Sequence, residues 1–380
     1  MTSRILDYAR SQAGGLLEQI QELTAIESPS HDRDRVNEAV DWMEKRLQAA
    51  GAATTRTPHS NAGDQLVARL GGGSARTLLL GHLDTVWDAG QLARMPLKVE
   101  AGKAYGPGIF DMKSGAVIVI ELFRMAANAV CRPDSALVAF FSSDEELGSL
   151  SSRPILEQIA PECNQVLVLE PCLPGGRAKT CRKGVGRYTL EIHGKSAHAG
   201  VSPEAGVSAV EEFAHQVFAL RELVKPFPGA TLNIGVVKAG TRSNVVPEYL
   251  NAEIDVRVGS TGDGEAIDGR LKALAPRLPG AALRVSGGIN RPPLERTESV
   301  VRLFGAAAAV AREQGWMLQE GATGGGSDGS FTAALGIPTL DGLGPDGNGA
   351  HALDEHVLIE DLPRRLALVA GLLERMSSVE

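Results

Sequence analysis

Residues 77–85 read TLLLGHLDT, an unbroken apolar run that stops abruptly at a histidine and an aspartate. A run of this kind suits a strand buried on both faces, and the polar residues after it lie where an open α/β sheet delivers side chains to its binding edge. The same pattern recurs twice: ALVAFFSS (136–143) leads into Glu145 and Glu146, and VLVLEP (166–171) places Glu170 at its end. Between these runs GAVIVIELFRMAANA (115–129) is apolar on most faces and predicts a buried helix following Asp111, and a second helix is expected over roughly 150–160. With helical periodicity over 5–25 and 34–50 in front, the alternation predicts an α/β fold with a mostly parallel, helix-covered sheet.

Beyond Lys183 the grammar changes. GRYTLEIHG alternates as a strand does, and Ser202-Pro203 is read as opening a helix with Val207, Val210, Phe213, Val217 and Leu220 along one side. TLNIGVVKAG and YLNAEIDVRVG follow as strands, then a helix over about 263–277 and a strand at ALRVSGG. Strand, helix, strand, strand, helix, strand is the order of an α+β ferredoxin-like module. After Pro292-Pro293 the chain returns to helix (298–315), a glycine-rich loop, a strand at GIPTLDG and a last helix. The expected organisation is a catalytic domain of residues 1–183 and 292–380 interrupted by a lid, 184–291.

Composition narrows the function classes. A chain of 380 residues exceeds what one core usually organises. The formal net charge of −8, without a Lys/Arg block, argues against a nucleic-acid partner. No apolar stretch is long enough to cross a bilayer, and the first residues lack a signal-peptide core. Four cysteines, Cys131, Cys163, Cys172 and Cys181, form no CxxC pair, so free thiols in the cytoplasm are expected.

Seven residues read as one two-metal site: His82, Asp84, Asp111, Glu145, Glu146, Glu170 and His351. Imidazoles and carboxylates without a thiolate suit zinc, manganese or cobalt, with a water as nucleophile. In HLD, positions i and i+2 of an extended chain face the same way, so Asp84 is placed to orient the His82 ring. Adjacent Glu145 and Glu146 point in different directions, which lets one carboxylate bind metal while the other takes a proton. Asp111 lies in a Gly-bounded turn, GIFDMKSG, where helix capping is the alternative role. Gly324, Gly325 and Gly326 form a loop whose backbone can approach a substrate, without the Lys-Ser/Thr ending of a phosphate loop.

Taken together, HLDT, GIFDMKSG, DEELG, LEP, GKSAHAG, GTRSNVVPE and TGGGSD with the later His351 resemble the two-zinc metallopeptidase and aminoacylase family of peptidase clan MH, most of all its glutamate carboxypeptidase (carboxypeptidase G) branch. The likeness runs from about residue 15 to the C-terminus. It implies that His82 and Glu170 hold one metal and Glu146 and His351 the other. Asp111 is the implied bridge, with a cis peptide after it, while Asp84 orients His82 and Glu145 serves as general base. It further implies that His198 stabilises an oxyanion in the partner subunit's site, and that Asn244 and Arg257 contact substrate, Arg257 through its carboxylate. A homodimer paired through the lid follows from the same likeness. CRKGVGRY at the lid entry and Arg242 depart from the glutamate-releasing pattern, which bears on the substrate more than on the reaction. The implied activity is amide hydrolysis on a C-terminal or N-acylated amino acid. An aminoacylase- or desuccinylase-like deacylase is the alternative, and a noncatalytic metal binder of the same fold would have no use for Glu145.

Overall fold

In a computed structural model describing residues 2–375, Arg76–His82 is a central strand of a six-stranded sheet. The strand order is Ala53–Thr57, Gln65–Leu70, Ala136–Ser142, Arg76–His82, Gln165–Val168, Thr339–Leu340. The last four pair in parallel, and the first two add an antiparallel edge that the sequence reading did not anticipate. Both faces are covered, which is why the run at 77–81 shows no polar alternation. Leu79, Leu137, Ala139 and Phe141 pack with one hydrophobic cluster, while Leu78, Leu80, Val138 and Phe140 pack with another. The helix Ser114–Ala127 lies within the first cluster and is buried along most of its length. Parallel register puts His82 opposite Ser142 and Leu80 opposite Val168, so the three strands end at one carboxyl edge.

The chain divides into two units. The first comprises residues up to Cys181, Arg296–Ala322 and Ser327 onward, and it also carries a small antiparallel sheet containing Lys103–Tyr105 and His356–Leu358. The second comprises Arg182–Glu295 with Thr323–Gly326. Its elements run Gly184–His193, helix Ala209–Val224, Thr231–Ala239, Tyr249–Val258, helix Thr261–Lys272 and Ala282–Arg291. Its fully antiparallel sheet places Gly184–His193 between Tyr249–Val258 and Ala282–Arg291, with Thr231–Ala239 at the far edge, a ferredoxin-like order.

The helix expected over about 263–277 runs Thr261–Lys272, and the helix expected from Ser202-Pro203 starts later. Pro203–Ala205 forms only a single tight turn, and the helix starts at Ala209, where the Ser208 hydroxyl accepts a hydrogen bond from Glu211 N at 3.2 Å. Its buried face carries Ala209, Glu212, Gln216, Leu220 and Leu223, leaving Val210 and Phe218 exposed. The apolar stripe misleads because Glu212 is satisfied internally: its carboxylate accepts from Gln216 Nε2 and from the backbone N–H groups of Arg277 and Leu278.

Candidate functional site

His82 closes its strand with the ring 2% exposed. Nδ1 lies 3.0 Å from the Asp84 backbone carbonyl and 3.4 Å from Asp84 Oδ1. Because a carbonyl only accepts, Nδ1 carries a proton, so in the neutral ring Nε2 presents its lone pair. That nitrogen is 3.4 Å from both Asp111 Oδ1 and Glu170 Oε1.

A second imidazole faces the same aspartate. His351 Nε2 is 3.5 Å from Asp111 Oδ2 and 3.2 Å from Glu146 Oε1. Asp111 therefore offers one carboxylate oxygen to each histidine. His351 sits in the left-handed region at φ 62°, a conformation that costs a non-glycine residue about 1 kcal/mol or more. Ligand atoms of His82, Asp111 and Glu146 all lie within 4.8 Å of one another.

Charge pattern tests whether this donor set suits cations. Burial pulls the His82 imidazole toward neutrality, but Asp111, Asp84 and Glu170 outweigh it and hold the ring well above its ordinary pKa. Hydrogen bonds to Asp111 and Glu146 raise His351 to about 10. Burial drives Glu146 up to about 7, whereas the two histidines overcome burial at Asp111 and hold it below the usual carboxylate range. The cluster thus binds protons where metals would otherwise neutralise it, and two imidazoles with three carboxylates fit a pair of divalent ions.

Local structure explains the convergence. Asp84 turns its carboxylate toward the neighbouring strand end, accepting from Ser30 Oγ at 2.7 Å, Glu145 N at 3.1 Å and Glu146 N at 3.2 Å. The nearer acceptor for the His82 ring is thus the Asp84 backbone, and the carboxylate fixes the Glu145–Leu147 turn. Asp111 is not the N-cap of the following helix, a position taken by Lys113; its own N–H donates to Glu355, and the Asp111–Met112 peptide is cis. Gly115 lets that helix begin against the Glu170 turn, since a Cβ there would stand 1.9 Å from the Leu169 carbonyl. Sequence reasoning passed over Ser30, Lys113 and Glu355. Lys113 is buried with Nζ donating to the Ile26 carbonyl at 2.6 Å, and burial lowers it to about 8.

The second unit holds His198, Asn244, Arg257, Gly325 and Gly326. His198 is exposed on a loop bridged to Val245, and Ala199 N donates to the Asn244 carbonyl at 3.0 Å. Gly200 N donates to His198 Nδ1 at 3.1 Å, so in the neutral ring the proton resides on Nε2. Arg257 forks onto Asp255, with Nε at 2.8 Å and Nη2 at 2.9 Å, and its Nη1 reaches the Gly324 carbonyl at 3.2 Å. Arg182 Nη1 donates to the carbonyls of Gly325 and Gly326, holding the glycine loop to this unit. Cys172 is a buried thiol that burial pushes up to about 12, in keeping with a bystander.

Carboxypeptidase G2 of Pseudomonas sp. strain RS-16 is 31% identical over 97% of this chain and 91% of its own. A succinyl-diaminopimelate desuccinylase of Xanthomonas oryzae pv. oryzae is also 31% identical, over 87% of this chain and 91% of its own. Among solved structures, a dinuclear metal-binding M20 peptidase from Bacillus subtilis superposes with TM-score 0.67 at 14% identity, covering 98% of this chain and 100% of that one. Residues 78–375 match the model of peptidase family M20/M25/M40, spanning the whole run of motifs from the His82 strand to the final helix. The chain belongs to that family and is an M20 hydrolase.

Proposed function

We propose that this hydrolase cleaves the amide bond that joins a C-terminal or N-acylated amino acid to the rest of a small substrate, with Glu145 as general base. The observation that carries the reading is Asp111, one carboxylate oxygen toward His82 and the other toward His351, with Glu170 and Glu146 beside them. Two divalent ions, zinc in first place, held by His82 and Glu170, by Glu146 and His351 and by Asp111 between, would polarise the carbonyl and acidify a water. Glu145 takes the proton of that water and passes it to the leaving amine. Its place beside Glu146 in a turn pinned by Asp84 supports the role.

In the second unit His198 Nε2–H is the donor we assign to the developing oxyanion. Asn244 and the backbone of Gly325 and Gly326 are assigned to substrate contact. Arg257 takes the substrate carboxylate, in exchange for part of its pairing with Asp255. Exposed Val210, Phe218, Val236, Val237 and Tyr249 on this unit support a homodimer formed through it. Four free cysteines support a cytoplasmic setting. Among the described residues no helix is long and apolar enough to cross a membrane.

A second reading, removal of the acyl group from an N-acyl or N-succinyl amino acid, draws on the identity with the desuccinylase. The test is turnover by metal-stripped and zinc-, cobalt- or manganese-reloaded protein on a panel of N-acyl amino acids, N-succinyl amino acids and peptides ending in glutamate. Metal-dependent release of C-terminal glutamate supports the first reading, and preference for succinyl amides the second. Absence of turnover with every metal overturns both.

A further inference from the structure

We propose that Glu355 is a positioning residue for the metal centre: its buried carboxylate fills a ring of N–H donors around the Asp111 turn and so sets where the bridging carboxylate stands. The inference rests on the reading of Asp111 as a metal ligand. Glu355 is 1% exposed and lies four residues beyond His351. Its Oε1 accepts from Phe110 N at 2.9 Å and Asp111 N at 3.1 Å, and its Oε2 from Gly108 N at 2.9 Å and Trp87 Nε1 at 2.8 Å. Four donors on one carboxylate leave it fully satisfied, the condition under which a charge is tolerated in a protein interior.

Backbone geometry turns this contact into a constraint on the site. Gly108 stands at φ 72°, and a Cβ there would meet Thr85 Cγ2 at 2.5 Å. With the chain curled in this way, successive N–H groups converge into an anion-holding concavity, and an internal carboxylate occupies it. The Asp111 N–H is one of those donors, so the residue's backbone is fixed one bond from the side chain that faces His82 and His351.

Glu355 also gathers three ligand-bearing segments. Trp87 follows His82 and Asp84, Gly108–Asp111 carries the bridge, and the loop of His351 supplies Glu355 itself. That loop is in turn closed by Ala352 N to Gly349 O at 2.8 Å and Glu355 N to Ala352 O at 3.1 Å. The neighbouring His356 pairs with Tyr105 across the small sheet, anchoring the far side. Residues that orient metal ligands without touching the metal change metal affinity by roughly 10- to 100-fold when altered.

The experiment compares Co²⁺ binding by wild type, Glu355→Gln and Glu121→Gln, using equilibrium competition with a chromophoric chelator and the visible Co²⁺ absorption bands. Gln keeps the shape of Glu355 but turns an NH₂ toward two donors. The expected result is Co²⁺ affinity weaker by roughly 10- to 100-fold and a shifted band pattern. Glu121 is the control for general loosening: it is another buried carboxylate of the same unit, held by Tyr8 OH at 2.8 Å and by Arg124, and belongs to none of the ligand segments. Its variant is expected to lose stability while keeping wild-type affinity and bands. Unchanged affinity and bands in Glu355→Gln, or equal changes in Glu121→Gln, overturn the positioning role. If Glu355→Gln does not fold, Trp87→Phe removes a single donor and decides the matter: a smaller shift in the same direction supports the role, and wild-type affinity and bands overturn it. A wild-type protein that takes up no Co²⁺ removes the metal reading and this inference together. Wild-type uptake of two Co²⁺ with an unaffected Glu355 variant removes this inference alone.

Discussion

A carboxylate with an imidazole on each side is the smallest unit of this site, and the proposed mechanism assigns different work to Glu145 and Glu146. Glu146 lies 3.2 Å from His351 Nε2, and Glu145 precedes it in the same turn. Replacing Glu145 by Gln preserves the turn, since Asp84 binds the backbone N–H and not the side chain. The expected outcome is kcat lower by about 10²–10⁴-fold with metal content unchanged, checked by steady-state kinetics beside elemental analysis. Metal lost in proportion to activity would instead make Glu145 a ligand. His82, Asp111, Glu146, Glu170 and His351, which the structure draws together, stand out in the sequence because each follows an apolar run or sits in a glycine-framed turn, so charge appears where burial is expected. Glu355 was not legible, because its partners are three backbone N–H groups and an indole distant in sequence. Backbone donors carry no residue signature.

Among the strands, buried ones are more legible than exposed or short ones. Period-two alternation and continuous apolar runs follow directly from which sheet faces are covered, and the four strands of the second unit and the central strands of the first are legible on that basis. The two edge strands Ala53–Thr57 and Gln65–Leu70 escaped, Ala53–Thr57 being polar and partly exposed. Helix Ala209–Val224 differs in its start and its face, because polar Glu212 and Gln216 lie on the buried side and an apolar stripe does not count them. That carboxyl gives the helix a pH dependence. Burial raises its pKa, but the hydrogen bonds from Gln216, Leu278 and Arg277 prevail and hold it below the ordinary glutamate value. A folded pKa below the unfolded one contributes stability that is fully present above the unfolded value, about 4.3, and is lost as pH falls through the folded value. The hydrogen-exchange protection factors of helix Ala209–Val224, corrected for the intrinsic exchange rate at each pH, should therefore fall on acidification below about pH 4.3. Glu212→Gln should flatten that dependence and cost about 1–3 kcal/mol of local protection near neutral pH, since its NH₂ would oppose N–H donors. Equal pH dependence in the variant would assign the acid sensitivity elsewhere.

For the whole molecule, the proposed mechanism assigns a donor on the second unit to chemistry on the first. His198 and the proposed metal ligands belong to different units, so the proposed mechanism draws a group from each. If a partner copy supplies the histidine, association and turnover must be linked. Phe218 is 70% exposed, and with Val236 and Val237 it gives the second unit an apolar surface suited to a two-fold contact. Phe218→Asp should give a monomer by light scattering, keep its metals and lose kcat. Mixing then separates the two ways the histidine can act. His198→Ala subunits lack the oxyanion donor, worth about 10²–10³-fold in kcat, and Glu145→Gln subunits lack the base. Should the histidine act across the interface, a heterodimer of the two contains one site with both groups intact and one with neither, so activity returns to at most half that of wild type. Should it act within its own chain, every site in the heterodimer lacks one group, and mixing restores nothing even where heterodimers are demonstrated by mass. The addition of Phe218→Asp to both parents should abolish any recovery, which ties it to the dimer and not to exchange of metal between proteins.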